Sequence, residues 1–222
     1  MTTSVKDRLL DLIVSGDYTG GEWVRESSVA AALGVSRTPV RDALRELATV
    51  GVVDLVPHRG ARIRHYSLAD VEEVYRARAV VEPAAVASAV PALSPEDIQR
   101  LRELNGRMAA LPVKDGAAAD TNAAAATRGE LSRINNSFHQ VFLDAATNRP
   151  LAEAAMHLRT PLLVARVFLS YSPTALERSI MHHQELIIAS SAQDAEWAAT
   201  IMRAHILAGL QGHRESTGTG IS

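Results

Sequence analysis

Gly34-Val35-Ser36-Arg37-Thr38-Pro39-Val40-Arg41-Asp42-Ala43-Leu44-Arg45 is the stretch on which the fold turns. It sets Arg37, Arg41 and Arg45 four apart, while Val40, Ala43, Leu44 and Leu47 fall at the complementary helical spacing. One face of such a helix packs on a small core, and the other offers guanidinium groups to an anion. Ser27 to Leu33 reads as a short helix ended by Gly34, the residue type that takes a left-handed C′ conformation without steric cost. A helix, a tight Gly turn and a second, Arg-rich helix form the helix-turn-helix pattern of DNA-binding proteins.

On the amino-terminal side, Val5 to Val14 reads as an amphipathic helix, followed by a loop marked by Gly16, Gly20 and Gly21. On the carboxy-terminal side, Val52–Val56 and Ala61–His65 read as two strands. Between them Pro57-His58-Arg59-Gly60 makes a hairpin tip with a positive end. Three helices and a basic hairpin predict a winged helix-turn-helix over residues 1–66. From Leu68 onward no strand pattern recurs. Helices are expected to about Val90, over Ser94–Ala110, and over about 130–146, 149–170, 173–191 and 193–213, with Pro112–Gly129 as a connection. Pro83 should kink the first of these. Aromatic residues are only 4% of the chain, so Leu, Val, Ile and Ala must build this core. The fold class is mainly α: a winged helix-turn-helix followed by an all-helical effector-binding and dimerisation bundle over 67–215, with 216–222 as a disordered tail.

Composition narrows the chemistry. The chain has no cysteine, which excludes disulfides, thiolate nucleophiles and Cys-type zinc sites. Net charge is −2, yet between Ser36 and Arg64 six arginines face three acids. A local basic patch on a mildly acidic body suits a protein that docks one small module on DNA. The apolar runs stop well short of a membrane span and Met1-Thr2-Thr3-Ser4 lacks a signal peptide's apolar stretch, so a cytoplasmic location with no membrane partner is the expectation.

A recognition helix enters the major groove amino end first, and arginine's planar fork matches a guanine edge. Arg37, Thr38 and Arg41 are therefore the candidates for base contacts, and Ser36 and Arg45 for phosphate contacts. His58, Arg59 and Gly60 form the wing tip, where Gly lets the backbone come close to a minor groove. A solvated arginine face on an ordinary helix is the plain alternative; the Gly turn before it and the basic hairpin after it favour DNA.

In the second half, Leu131, Ile134, Phe138, Val141 and Phe142 form one helical stripe, and Asn135 and His139 lie inside it, one turn apart. His183 is three after Ile180 and four before Ile187; His205 is four after Ile201 and three before Ala208. Three histidines on three helices thus each face a core, as hydrogen-bonded core residues or as converging ligands of a metal with positions left open for a carboxylate. Periodicity alone does not separate His183 from His182. Arg78 lies on the line Val71, Val74, Tyr75, Arg78, Val81, Glu82, Ala85 and points inward, where it needs an anionic partner. That partner is Glu82 one turn on, or the carboxylate of a bound effector, and the two can alternate. Asn148 and Arg166 are further candidates for a pocket wall.

Leu33 to Leu47, Gly51-Val52-Val53 and Pro57-His58-Arg59-Gly60 together closely resemble the GntR family of bacterial transcription regulators. The likeness continues through Arg78 to Pro83, Phe138-His139, Asn148 to Leu151, His183 and Arg203-Ala204-His205, which resemble the FadR-type branch with its helical effector-binding (FCD) domain. The resemblance implies a homodimer on a short palindromic operator in double-stranded DNA, a small carboxylic-acid effector and, in many members, a divalent metal. It selects His183 over His182. It also places Asn135 where metal-binding members usually carry Asp, a change that removes one negative charge from the site. Imidazole ligands favour Zn²⁺ or Ni²⁺ over Mg²⁺, and no organic cofactor is implied. The expected function is a ligand-responsive regulator, a repressor in the first instance, and not an enzyme. The alternatives are a constitutive DNA binder whose second domain only dimerises and, more remotely, a metal-dependent hydrolase, for which neither HExxH nor GxSxG is present.

Overall fold

A computed structural model of the chain describes residues 4–15, 18–57, 59–112 and 122–218. Its elements in order are α1 (Val5–Ser15), β1 (Trp23–Val24), α2 (Glu26–Leu33), α3 (Arg37–Thr49), β2 (Val53–Val56), β3 (Gly60–Ile63), α4 (Leu68–Ala89), a single 3₁₀ turn (Val90–Ala92), α5 (Pro95–Ala110), α6 (Asn122–Ala145), α7 (Arg149–Leu158), α8 (Pro161–Leu169), α9 (Pro173–Ser191) and α10 (Ala195–Gly218). The fold class is the expected one, a winged helix-turn-helix and an all-helical bundle. The chain divides into two compact units, Met1–Ser67 with Thr160–Arg166, and Leu68–Arg159 with Val167–Ser222.

In the first unit α2 closes in a Schellman motif. Gly34 sits at φ +65°, its N–H donates to the Ala31 carbonyl, and the Val35 N–H donates to Ala30. A side chain at position 34 would meet no neighbour, so the left-handed backbone is the only reason the position favours glycine. The turn launches α3, which buries Val40, Ala43, Leu44 and Leu47 against Leu9, Val29, Val53 and Ile63. The strands pair antiparallel in the order β1-β3-β2, with Val53 opposite Ile63 and Val56 opposite Gly60. Strand β1 escapes sequence reading because it is two residues long and shows no alternation; only Val24 points into the core.

In the second unit α4 packs against α7 and α10, α9 against α5 and α10, and α5 against α6. Leu101, Met108, Leu131, Phe138, Phe142, Leu186 and Met202 are fully buried within it. A capping box starts α5: Ser94 Oγ accepts from the Asp97 N–H, while Asp97 Oδ2 accepts from the Ser94 N–H. Pro83 lies within α4, which continues across it.

Three helix boundaries differ from expectation. Helix α6 begins at Asn122, not near 130, because Ala123–Ala126 are strong helix formers that composition alone had assigned to a connection; residues 113–121 lie outside those described. The helix expected over 149–170 is two helices, separated at Arg159-Thr160. Pro161 disfavours the helical region for the residue before it and lacks the N–H that would continue the ladder, so it opens a new helix instead. Helix α10 runs to Gly218, into the segment expected to be a tail, of which 219–222 lie outside the described residues.

Candidate functional site

Two groups of side chains stand apart from ordinary packing, one in each unit. On the first, Ser36 at the amino cap of α3 and Arg37, Thr38, Arg41 and Arg45 along it are all exposed, and Arg59 and Gly60 are exposed at the hairpin; His58 lies outside the described residues. A groove between α3 and the hairpin is lined by Arg41, Leu44, Arg45, Pro57 and Gly60, with Glu26 at its edge. The arginines of α3 are held. Arg41 donates through Nε and Nη2 to the two carboxylate oxygens of Glu26, each at 2.9 Å. Arg37 Nη2 lies 3.6 Å from the same carboxylate, and Arg45 pairs with Asp42 at 3.4 Å. The hydrogen bonds from Arg41 hold the Glu26 carboxyl below its usual range. Glu26 went unnoticed in the sequence because it opens α2, fifteen residues from its partner; an acid in a helix's first turn was the available signal. Two arginines counted in the basic patch serve the sheet instead. Arg62 donates to the Gly21 carbonyl, and Arg64 pairs with Asp54.

In the second unit α6, α9 and α10 bring His139, His183 and His205 together, with one ring nitrogen of each within 4.8 Å of the others. His139 Nε2 and His205 Nε2 are 3.2 Å apart. The His183 ring stacks on Phe138 at 3.9 Å between centroids, which fixes its plane. His183 is completely buried, and both its ring nitrogens lack a hydrogen-bond partner among the described residues, as do His139 Nδ1, His205 Nδ1 and Asn135 Oδ1. Burial pushes all three imidazoles down. His139 falls to about 4, with the Arg159 guanidinium adding to the effect, and His183 and His205 fall well below the ordinary value. The three rings are therefore neutral at pH 7, the state in which imidazole offers a lone pair. His182, the rival of His183, is half-buried with its ring 6.0 Å from that of His205, outside the group of three.

Beside the cluster lies a buried ion network. Arg78 Nε donates to Glu82 Oε1 at 2.5 Å, and Arg159 Nη1 donates to Glu82 Oε2 at 3.0 Å. Arg159 Nη2 donates to Asn136 Oδ1, and the Arg78 guanidinium lies 4.4 Å over the Tyr75 ring. His139 Nδ1 faces Glu82 Oε2 at 3.3 Å. Burial pushes the Glu82 carboxyl up, but the two arginines outweigh it and hold the group well below the usual range. Arg78 Nη1 is buried without a hydrogen-bond partner among the described residues. Sequence reading missed Arg159, which the break between α7 and α8 leaves outside any periodic stripe. The two expected wall residues each hold a local hydrogen bond. Asn148 Oδ1 caps α7 by accepting the Leu151 N–H, and the exposed Arg166 donates to the Tyr66 carbonyl in the first unit.

Comparison with known proteins supplies the family. Residues 1–63 match the model of the bacterial regulatory proteins of the gntR family, and residues 73–208 match that of the FCD domain. The chain is 29% identical over 219 residues to a probable D-xylose utilization operon transcriptional repressor of Paenarthrobacter nicotinovorans, covering 98% of this chain and 91% of that one. It is 26% identical to the HTH-type transcriptional regulator YdhC of Bacillus subtilis, covering 90% of this chain and 84% of that one. Among solved structures, McbR/YncC of E. coli superposes with a TM-score of 0.72 at 22% identity, covering 97% and 96% of the two chains. The chain belongs to the GntR family of bacterial transcription regulators and carries the FCD domain in its second half.

Proposed function

We propose that the protein is a ligand-responsive repressor that binds a palindromic operator as a homodimer and releases it when a small carboxylic acid enters the helical domain. Arg37, Thr38 and Arg41 would read base edges, Ser36 and Arg45 would hold phosphates, and the wing tip at His58, Arg59 and Gly60 would approach the minor groove. The observation that carries the effector half is the convergence of three neutral imidazoles, with unpartnered nitrogens, beside the unpartnered Nη1 of buried Arg78. Buried polar atoms without partners cost free energy unless something satisfies them. A divalent ion suits this donor set: His139, His183 and His205 would hold it, with the Asn135 carbonyl oxygen as a further, neutral donor. Imidazole donors favour Zn²⁺ or Ni²⁺ over Mg²⁺. Such an ion would supply positive charge and open positions to an incoming carboxylate, whose second oxygen Arg78 would clamp.

Thermal unfolding after thorough chelation, repeated with Zn²⁺ or Ni²⁺ restored, tests the metal. A free ion at about 100 times its Kd stabilises the folded state by about 2.7 kcal/mol, so the midpoint should rise by several degrees, and His183→Ala should abolish the rise. An unchanged midpoint rejects the metal and leaves Arg78 as the anchor for a metal-free effector. Titration of operator DNA with small carboxylates then tests the response; tight effector binding with unchanged operator affinity rejects the repressor reading.

A further inference from the structure

Glu82 touches three groups at once, and only two of them are its counter-ions. Oε1 takes Arg78; Oε2 takes Arg159 at 3.0 Å and also faces His139 Nδ1 at 3.3 Å. On the far side of the same ring, His139 Nε2 points to His205 Nε2 at 3.2 Å, inside the cluster. Glu82, Arg78 and His139 are 1%, 3% and 2% exposed, so the contact lies away from bulk water.

We infer that Glu82 is a positioning residue for the histidine cluster: its carboxylate holds His139 as the Nδ1–H tautomer and so aims the Nε2 lone pair at the metal position. This rests on the metal reading of the cluster given above. The reason is electrostatic. A bare Nδ1 lone pair facing a carboxylate oxygen in a dry interior repels it, whereas an N–H dipole is attracted. The 3.3 Å contact is not aligned as a hydrogen bond, so charge rather than a hydrogen bond orients the ring. A neutral imidazole has one proton, and placing it on Nδ1 leaves Nε2 free as a donor to a metal. A carboxylate behind a ligating histidine also raises the ring's basicity. Arg78 and Arg159 fix the carboxylate in turn, and Asn136 fixes Arg159, so the order of three layers converges on one nitrogen.

The arrangement also joins the two ligands. An anion that engages Arg78 Nη1 shares a guanidinium with Glu82, drawing charge from Arg78 and leaving the carboxylate freer to hold His139. Metal and effector are thereby predicted to tighten each other's binding, and by linkage the factor must be the same in both directions.

The test uses the full-length protein with ¹⁵N-labelled histidine and, separately, Zn²⁺ titrated against a chromogenic chelator. In the metal-free protein the His139 ring shifts, assigned by their absence in His139→Gln, should report Nδ1–H. Glu82→Gln should mix or reverse the tautomer and weaken Zn²⁺ binding by about 10- to 100-fold. Because that variant leaves two buried arginines without their anion, Arg78→Met/Glu82→Gln, which removes one cation with it, serves as the second arm and should show the same change. Wild-type ring shifts and unchanged Zn²⁺ affinity in a folded variant overturn the inference. A wild type that binds no Zn²⁺ but shows Nδ1–H at His139, lost in the variants, upholds the positioning role and overturns the metal reading instead.

Discussion

Glu26–Arg41 and Glu82–Arg78 are the same chemical pair in two settings. Arg41 is half-exposed and grips Glu26 through two nitrogens at 2.9 Å; Arg78 is 3% exposed and meets Glu82 at 2.5 Å with a second arginine sharing the carboxylate. At the surface, water and salt screen the pair and stand ready to replace either partner, so exchange costs little. On the proposed reading, Arg41 would leave Glu26 for a guanine edge or a phosphate. In the interior no such replacement exists, and removing one partner strands the other. The proposed function would use both kinds: a surface contact loose enough to trade for DNA, and an interior one firm enough to keep its geometry while a ligand comes and goes.

The contrast breaks first if the buried pair is weak. Glu82→Ala should cost about 3–5 kcal/mol in denaturant unfolding, because it leaves Arg78 and Arg159 uncompensated; a loss under about 1 kcal/mol would show that water reaches the network. Next, Arg41→Ala should weaken operator binding by about 5- to 150-fold while affecting random DNA much less. Equal weakening on both, measured by fluorescence anisotropy, assigns Arg41 to phosphate.

A gentler effect is expected from pH. The unfolded chain binds protons on His139, His183 and His205 below about pH 6.5, whereas the folded protein keeps the rings neutral, His139 down to about 4. Stability of the chelated protein is therefore full above about pH 6.5 and falls as pH drops from there toward 4, with a limiting slope of about 1.4 kcal/mol per pH unit for each histidine. His139→Gln should flatten that slope; an unchanged slope places the protonation elsewhere. The smallest effect belongs to Glu26→Gln. It should shift the unfolding midpoint by about 2 °C or less, yet raise affinity for random DNA by freeing Arg41 and Arg37. A drop in that affinity would show that Glu26 is needed to hold Arg41 in its binding pose.

Much of this was legible in the residues. The α2–α3 pair announces itself because Gly34 and the apolar spacing of α3 are local signals, read within a dozen residues. His139, His183 and His205 were legible one at a time, each from its place in an apolar stripe. Their convergence was not, since which helices pack together is a property of the whole bundle. Glu26 and Arg159 were hidden for the same reason: each acts on a residue distant in sequence, Arg41 in one case and Glu82 in the other. Asn148 and Arg166 are polar residues that also take local duties, a helix cap and a bond to a backbone carbonyl, which composition does not reveal. Pro161 overrode a periodicity that ran straight through it.

The segment Thr160–Arg166 groups with the amino-terminal unit although it lies far along the chain, and Leu162 sits in that unit's core. The polypeptide therefore crosses between the units three times, after Ser67, Arg159 and Arg166. The modules are not beads on a string. A fragment ending at Ser67 would lack a piece of its own interior, and a chimera built by swapping everything after Ser67 would import a foreign Leu162. Evolution or an engineer exchanging the FCD domain of such a regulator must keep this seven-residue insert matched to the amino-terminal unit.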